Sequence, residues 1–109
     1  MQKDKLNEIG AIILDSSITV HRELGPGLLE SAYEIALNRE LQTRGLKTIR
    51  QVTVGFIYKE VDLGKIYVMD ILVEDEIILE VKAVENNLPI FEAQLITYLK
   101  LANKKLGYL

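Results

Sequence analysis

The chain has 109 residues, of which 49% are apolar and 27% are charged, and its formal net charge is −3. This length and balance predict one globular domain with a core that needs no covalent staples. Because the chain has no cysteine and only one histidine, disulfides, zinc–thiolate sites, iron–sulfur clusters, Cys–His nucleophilic pairs and multi-histidine metal clusters are excluded. No apolar run approaches the roughly 20 residues that span a bilayer, so we expect a cytoplasmic protein with no membrane association.

Two helices are predicted in the first part of the chain. Apolar residues of the first recur at three-, four- and seven-residue steps: Leu6, Ile9, Ile13, Val20 and Leu24. This stripe predicts an amphipathic helix over about residues 4–24, which Gly25-Pro26-Gly27 ends. The stripe of the second helix consists of Leu29, Tyr33, Leu37 and Leu41. Gly45 follows where a glycine commonly ends a helix.

After Lys47 the apolar period changes to two, which predicts strands. The predicted elements are a strand over 48–59 with a bend near Gly55, a turn over 60–64, a strand over 65–73, the acidic turn Glu74-Asp75-Glu76, and a strand over 77–83. Pro89 then stands near the first position of a third helix, which runs to about Lys104. Gly107-Tyr108-Leu109 resembles the start of a last strand.

The order α-α-β-β-β-α-(β) indicates an α/β fold, a small sheet flanked by helices. We expect residues 1–109 to form a single domain whose final strand is truncated.

One group of charged residues lies across the hairpin of the second and third strands. A three-residue turn makes Val73 face Ile77, and pairing then runs back so that Asp70 faces Glu80, with Cβ atoms about 4.5–5.5 Å apart. Lys82 points to the same side as Glu80. Carboxylates suit hard cations such as Mg²⁺, and a lysine beside them can orient water or bind phosphate.

The alternative for this group is a strand edge with a surface ion pair. The flanking residues are nearly continuously apolar, which is typical of strands covered on both faces. Charges in such strands are costly unless they are paired or bound to metal. This context weighs against an ordinary surface ion pair, so Asp70, Glu80 and Lys82 call for an explanation by mutual pairing or metal binding.

Three further features have both a functional and a structural interpretation. Glu30 and Tyr33 share one face of the second helix, so Glu30 is either a third carboxylate of the site or a complement to the helix dipole. Gln94 and Tyr98, four residues apart on the last predicted helix, are either donors to phosphate or base atoms or ordinary helix surface. His21 borders the stripe of the first helix, which favours a structural role or one outside the ligand set over direct contact with metal or phosphate.

Together these motifs resemble the PD-(D/E)XK nuclease superfamily over about residues 5–109. The residues that carry the resemblance are Glu30, Asp70, Glu80-Val81-Lys82, Gln94 and Tyr98. The trailing Gln-x-x-x-Tyr is similar to the RecB-type exonuclease branch. Residues 21–33 resemble the GxxExxY protein family, whose name is matched by Gly27, Glu30 and Tyr33. Met69 stands where the superfamily name has proline.

The resemblance implies a restriction-endonuclease-like core, a small mixed sheet flanked by helices, with a site for Mg²⁺ or Mn²⁺. Asp70 and Glu80 would be metal ligands, and Lys82 would position or activate the attacking water. Glu30 would be a ligand or an acid just outside the ligand set. Gln94, Tyr98 and Tyr33 would support the site or contact nucleic acid.

Three functions follow as hypotheses. The first is a metal-dependent nuclease acting on DNA. The second is a catalytically silent module that keeps the nuclease fold and binds nucleic acid or protein. The third is oligomerisation, such as a homodimer, through an unpaired strand edge. Basic residues near the first two strands either track a phosphate backbone or solubilise the surface: Lys47, Arg50, Lys59 and Lys65.

Overall fold

Two helices and a four-stranded sheet form the part of the chain that the structure, a computed structural model, describes: residues 2–82 and 106–108. The elements are α1 (Lys3–Leu24), α2 (Glu30–Thr43), β1 (Thr48–Tyr58), β2 (Val61–Val73), β3 (Ile77–Leu79) and β4 (Leu106–Tyr108). The strands lie in the order β1-β2-β3-β4. The first three are antiparallel and β4 is parallel to β3, so the sheet is mixed, as the family resemblance implied.

The last strand appears where the sequence predicted one. The third helix, predicted up to about Lys104, lies outside the described residues. Within residues 2–82 and 106–108, no helix is long and apolar enough to cross a membrane.

Both helices pack on one face of the sheet. The main core cluster joins residues from α1, α2, β2 and β3: Ile9, Ile13, Val20, Leu37, Leu41, Ile71, Val73, Ile77 and Leu79. Each buried aliphatic side chain of this kind contributes about 1.5–3 kcal/mol of transfer free energy. A second cluster contains Val54, Met69, Leu72 and Ile78. The hairpin strands are therefore buried on both faces, as their nearly continuous apolar sequence predicts.

The two helix stripes are shorter than predicted. Leu24 and Leu29, at the end of α1 and just before α2, are exposed. The turn between them contains Gly25 and Gly27, both with positive φ, 71° and 96°. This conformation favours glycine, which is why the helix ends there.

The hairpin of β1 and β2 turns earlier than the sequence predicted. Tyr58 pairs with Val61, so the turn consists of Lys59 and Glu60 rather than residues 60–64. Both turn residues have positive φ, 48° and 66°, as a two-residue type I′ turn requires. The usual Asn-Gly signal is absent, which is why the prediction was wrong. The expected bend near Gly55 is confirmed by register shifts on both sides of that residue.

The next hairpin follows the predicted register. Val73 pairs with Ile77 across the turn Glu74-Asp75-Glu76. However, β3 ends at Leu79, four residues before the predicted end of the strand. Glu80 and Lys82 therefore lie on the segment that follows β3 rather than within the strand.

Candidate active site

Asp70 and Glu80 meet at the open end of the β2–β3 ladder. Ile71 pairs with Leu79, so the next residues along the same register are Asp70 and Glu80, as the turn length predicted. The backbone N–H of Val81 donates to Asp70 Oδ2 at 2.7 Å. This bond fixes the Asp70 carboxylate against the segment that carries Glu80.

The Glu80 carboxyl is the most strongly perturbed acid of the described residues. Its residue is 5% exposed, and its Oε1 atom is buried with no hydrogen-bond partner in the described structure. Its pKa is raised from 4.5 to about 8, first by burial and then by the nearby Asp70 charge, while Lys82 opposes both. A buried acceptor without a partner is costly, because its hydrogen bonds to water are lost and no protein donor replaces them.

Asp70 is shifted in the same direction. Partial burial raises its pKa above 3.8, the hydrogen bond from Val81 opposes this, and the Glu34 carboxylate adds to the rise. Lys82 lowers the pKa of both Asp70 and Glu80. The lysine charge therefore acts on both carboxylates, as the E-x-K spacing predicts.

The acid of α2 that acts on Asp70 in the structure is Glu34. Glu30, the residue chosen from the sequence, is exposed in the first turn of α2. Glu34 lies one turn later and is 5% exposed. Its spacing to Leu37 and Leu41 puts it on the buried stripe of the helix, and a charge within an apolar stripe is the signal that could have identified it. The role of Glu30 stays a prediction.

Glu34 is held by two consecutive residues of β1. Its Oε2 accepts a hydrogen bond from Arg50 Nε at 2.9 Å and forms an ion pair with Arg50 Nη2 at 2.6 Å. Gln51 Nε2 donates to both carboxylate oxygens, at 2.9 and 3.0 Å. Arg50, a candidate for contacting the phosphate backbone in the sequence, is therefore an ion-pair partner within the protein.

Tyr33 and His21, also considered in the sequence, have contacts of their own in the described structure. Tyr33 Oη donates to the Gly25 carbonyl oxygen at 2.6 Å and accepts from the Leu28 N–H at 3.1 Å. It therefore fixes the turn between the helices, a role that the sequence did not suggest. His21 is exposed on α1, in a shallow groove with Ile18. The predicted site residues Gln94 and Tyr98 lie outside the described residues.

The donor set suits a hard divalent cation. Within the described residues, no three His, Cys, Asp or Glu side chains are grouped closely enough to hold a metal ion. Magnesium sites often use only one or two carboxylates and complete their coordination with water and substrate phosphates. Asp70 and Glu80 provide two, and the unpartnered Oε1 of Glu80 is an acceptor that a cation would satisfy.

The described residues thus form a mixed sheet with two helices on one face, and two carboxylates and a lysine lie at one end of its β2–β3 hairpin. A family model of the PD-(D/E)XK nuclease superfamily matches residues 7–109. The chain therefore belongs to the PD-(D/E)XK nuclease superfamily, which confirms the resemblance at that level and points to nuclease activity. No curated protein and no solved structure matches the chain. Its place in the GxxExxY family stays a prediction.

Proposed function

We propose that the protein is a Mg²⁺- or Mn²⁺-dependent nuclease that hydrolyses phosphodiester bonds in DNA. The observation that carries the proposal is the Glu80 carboxyl, buried beside Asp70 with Oε1 unpartnered and with its pKa raised to about 8. A carboxyl that is costly without a counter-ion is typical of functional sites, where such perturbed groups cluster. Superfamily membership supports the same activity.

Each of the site residues has a proposed role. Asp70 and Glu80 would hold the cation, with Asp70 kept in place by the Val81 N–H. The cation, when bound, would stabilise negative charge on the phosphate oxygens and make an attacking water more acidic. Lys82, whose charge acts on both carboxylates, would orient that water or bind the scissile phosphate. The exposed Glu30 would support the site from the start of α2.

A second candidate is a catalytically silent module with the same fold. It is favoured by the absence of a three-acid cluster among the residues that the structure describes. The Glu34 carboxylate, which would be the third acid, is already occupied by Arg50 and Gln51. Such a module would bind nucleic acid or protein and cleave neither.

Cleavage assays on labelled linear, circular and branched DNA test the proposal. We expect cleavage in Mn²⁺ by the wild type, none in chelator, and none by Asp70→Asn. Glu40→Gln is a matched control, because Glu40 is an acid of α2 that pairs with Arg44 at 3.8 Å, away from the site. Absence of cleavage of any DNA, at high enzyme concentration and with Mn²⁺ bound, would favour the silent module. A parallel RNA substrate tests the choice of nucleic acid.

We also propose that β1 supports a homodimer. It is the end strand of the described sheet, and Ile57 on it is 70% exposed. An edge strand with exposed apolar side chains invites pairing with a second strand. Sedimentation at several concentrations should give a dimer that Ile57→Lys converts to a monomer; an unchanged monomer in the wild type would contradict this.

A further inference from the structure

We infer that Glu34 is a positioning residue: by holding Arg50 and Gln51, it fixes the β1 backbone opposite Asp70 and so orients the Asp70 carboxylate for a cation. The consequence of this inference, an effect on metal binding, rests on the proposed function. Its structural half concerns the position of Asp70 and can be measured without metal. We call Glu34, Arg50 and Gln51 the Glu34 clamp.

The clamp engages both carboxylate oxygens of Glu34, whose side chain also has a hydrogen bond with Asp70. Oε2 accepts hydrogen bonds from Arg50 Nε and Gln51 Nε2 and forms an ion pair with Arg50 Nη2, while Oε1 also accepts from Gln51 Nε2. Hydrogen bonds between ionised groups are shorter and stronger than neutral ones. The Glu34 side chain is nearly fully buried. These contacts make Glu34 a structural anchor beside Asp70.

The clamp holds β1 in an unfavourable conformation. Gln51 has a φ of 54° within the strand, a left-handed conformation that residues with a Cβ rarely adopt. Neighbouring residues of a regular strand point to opposite faces, yet Arg50 and Gln51 both reach Glu34. Such conformations persist where surrounding contacts hold them, and they cluster at functional sites.

The distortion lies directly beside Asp70. Arg50 pairs with Ile71 and Val52 with Met69, so Gln51 stands opposite Asp70. The side chains of β2 also switch from one face of the sheet to the other at this row. Ile71 packs in the core cluster under the helices, whereas Met69, two residues earlier, packs in the other cluster. In a regular strand these two residues would share a face. Asp70 therefore lies in the row at which the inward and outward alternation of side chains is interrupted in both strands.

The negative charge of Glu34 also raises the pKa of Asp70, which lies in this row. Groups just outside the ligand set commonly orient the ligands of a metal, and changing them typically costs about 10–100-fold in metal affinity. The clamp fits that role, because it fixes the strand that faces Asp70. Loss of the clamp should let the row return to regular alternation and move the Asp70 carboxylate away from Val81.

Hydrogen exchange at the Val81 amide is the metal-free test, because that N–H donates to Asp70 Oδ2. Measured by NMR in chelator, Glu34→Gln should accelerate Val81 exchange at least tenfold. Glu40→Gln, on the same helix, should leave it unchanged. Equal protection of Val81 in wild type and Glu34→Gln would overturn the inference, even if the variant melts at a lower temperature.

Gln51→Gly covers the case in which Glu34→Gln does not fold. Glycine adopts a φ of 54° without strain, and the Glu34–Arg50 ion pair remains. This variant should fold and still show faster exchange at Val81, because one half of the clamp is lost. Wild-type exchange in a folded Gln51→Gly would count against the inference.

Calorimetry with Mn²⁺ tests the consequence. Glu34→Gln should weaken the Kd by about 10–100-fold, and the swap Glu34→Gln with Gln51→Glu should recover part of that loss by restoring an amide–carboxylate pair. A Kd that is unchanged in Glu34→Gln would overturn the inference. If the wild type binds no Mn²⁺, the proposed function fails, while Val81 exchange still decides whether Glu34 positions Asp70.

Discussion

Replacing Glu80 by glutamine should stabilise the metal-free protein at alkaline pH. The amide keeps the shape of the carboxyl and resembles its protonated form, but it cannot ionise. Glu80 is buried beside Asp70, and its pKa is raised from 4.5 to about 8. The folded state therefore binds the Glu80 proton more tightly than the unfolded state does, and ionising this group opposes folding.

The sign and the size follow from the two pKa values. Below pH 4.5 both states hold the proton and there is no penalty; the penalty grows between pH 4.5 and about 8 and is complete above that. At about 1.4 kcal/mol per tenfold change in proton affinity, it reaches at most roughly 5 kcal/mol. Solvent near the partly exposed Asp70 screens the repulsion, so we expect about 2–4 kcal/mol in practice.

Urea denaturation in chelator, at intervals from pH 4.5 to 9, measures this effect. The free energy of unfolding of the wild type should fall as pH rises, and that of Glu80→Gln should fall much less, with the two curves meeting near pH 4.5. Glu40→Gln should follow the wild type. A wild-type curve that is flat between pH 5 and 8, or an equal slope in Glu80→Gln, would refute the reasoning.

Three further predictions concern single residues. Lys82→Ala should keep Mn²⁺ binding while DNA cleavage falls by about 10²–10⁴-fold; full cleavage by this variant would remove Lys82 from the catalytic residues. Because Glu80 must lose its proton to bind metal, the Mn²⁺ affinity measured by calorimetry should rise about tenfold per pH unit below pH 8 and level off above it; a pH-independent Kd would contradict this. Tyr33→Phe should lower the free energy of unfolding by about 1 kcal/mol and leave the Mn²⁺ affinity unchanged, whereas a weaker Kd would assign Tyr33 to the site.

The sequence was sufficient for the pairing of the two central carboxylates. The acidic turn between two apolar runs defines the register in which Val73 meets Ile77, and counting back along the strands brings Asp70 opposite Glu80. This succeeds because strand pairing is a local consequence of turn length. The same reasoning failed at Lys59 and Glu60, whose positive φ is not encoded by Asn or Gly.

Glu34 could not be assigned from the motif pattern. The motif-like segment drew attention to Glu30, whereas the contacts of Glu34 come from Arg50 and Gln51, which lie 16 and 17 residues further along the chain. Those contacts depend on the positive φ of Gln51, which interrupts the side-chain alternation of β1 and which residue preferences for strands do not predict. A carboxylate on the same helix face as Leu37 is visible in the sequence, but its partners appear only when the helix is packed on the sheet.

Paramagnetic broadening by Mn²⁺ tests most directly whether Asp70 and Glu80 form a divalent-metal site. Titrated into isotope-labelled protein, substoichiometric Mn²⁺ should broaden the amide signals of Asp70, Glu80 and Val81 first, and Asp70→Asn should abolish this. Glu74 and Asp75 in the acidic turn provide an internal control for nonspecific attraction. Broadening that begins at this turn, or that persists in Asp70→Asn, would contradict the metal site.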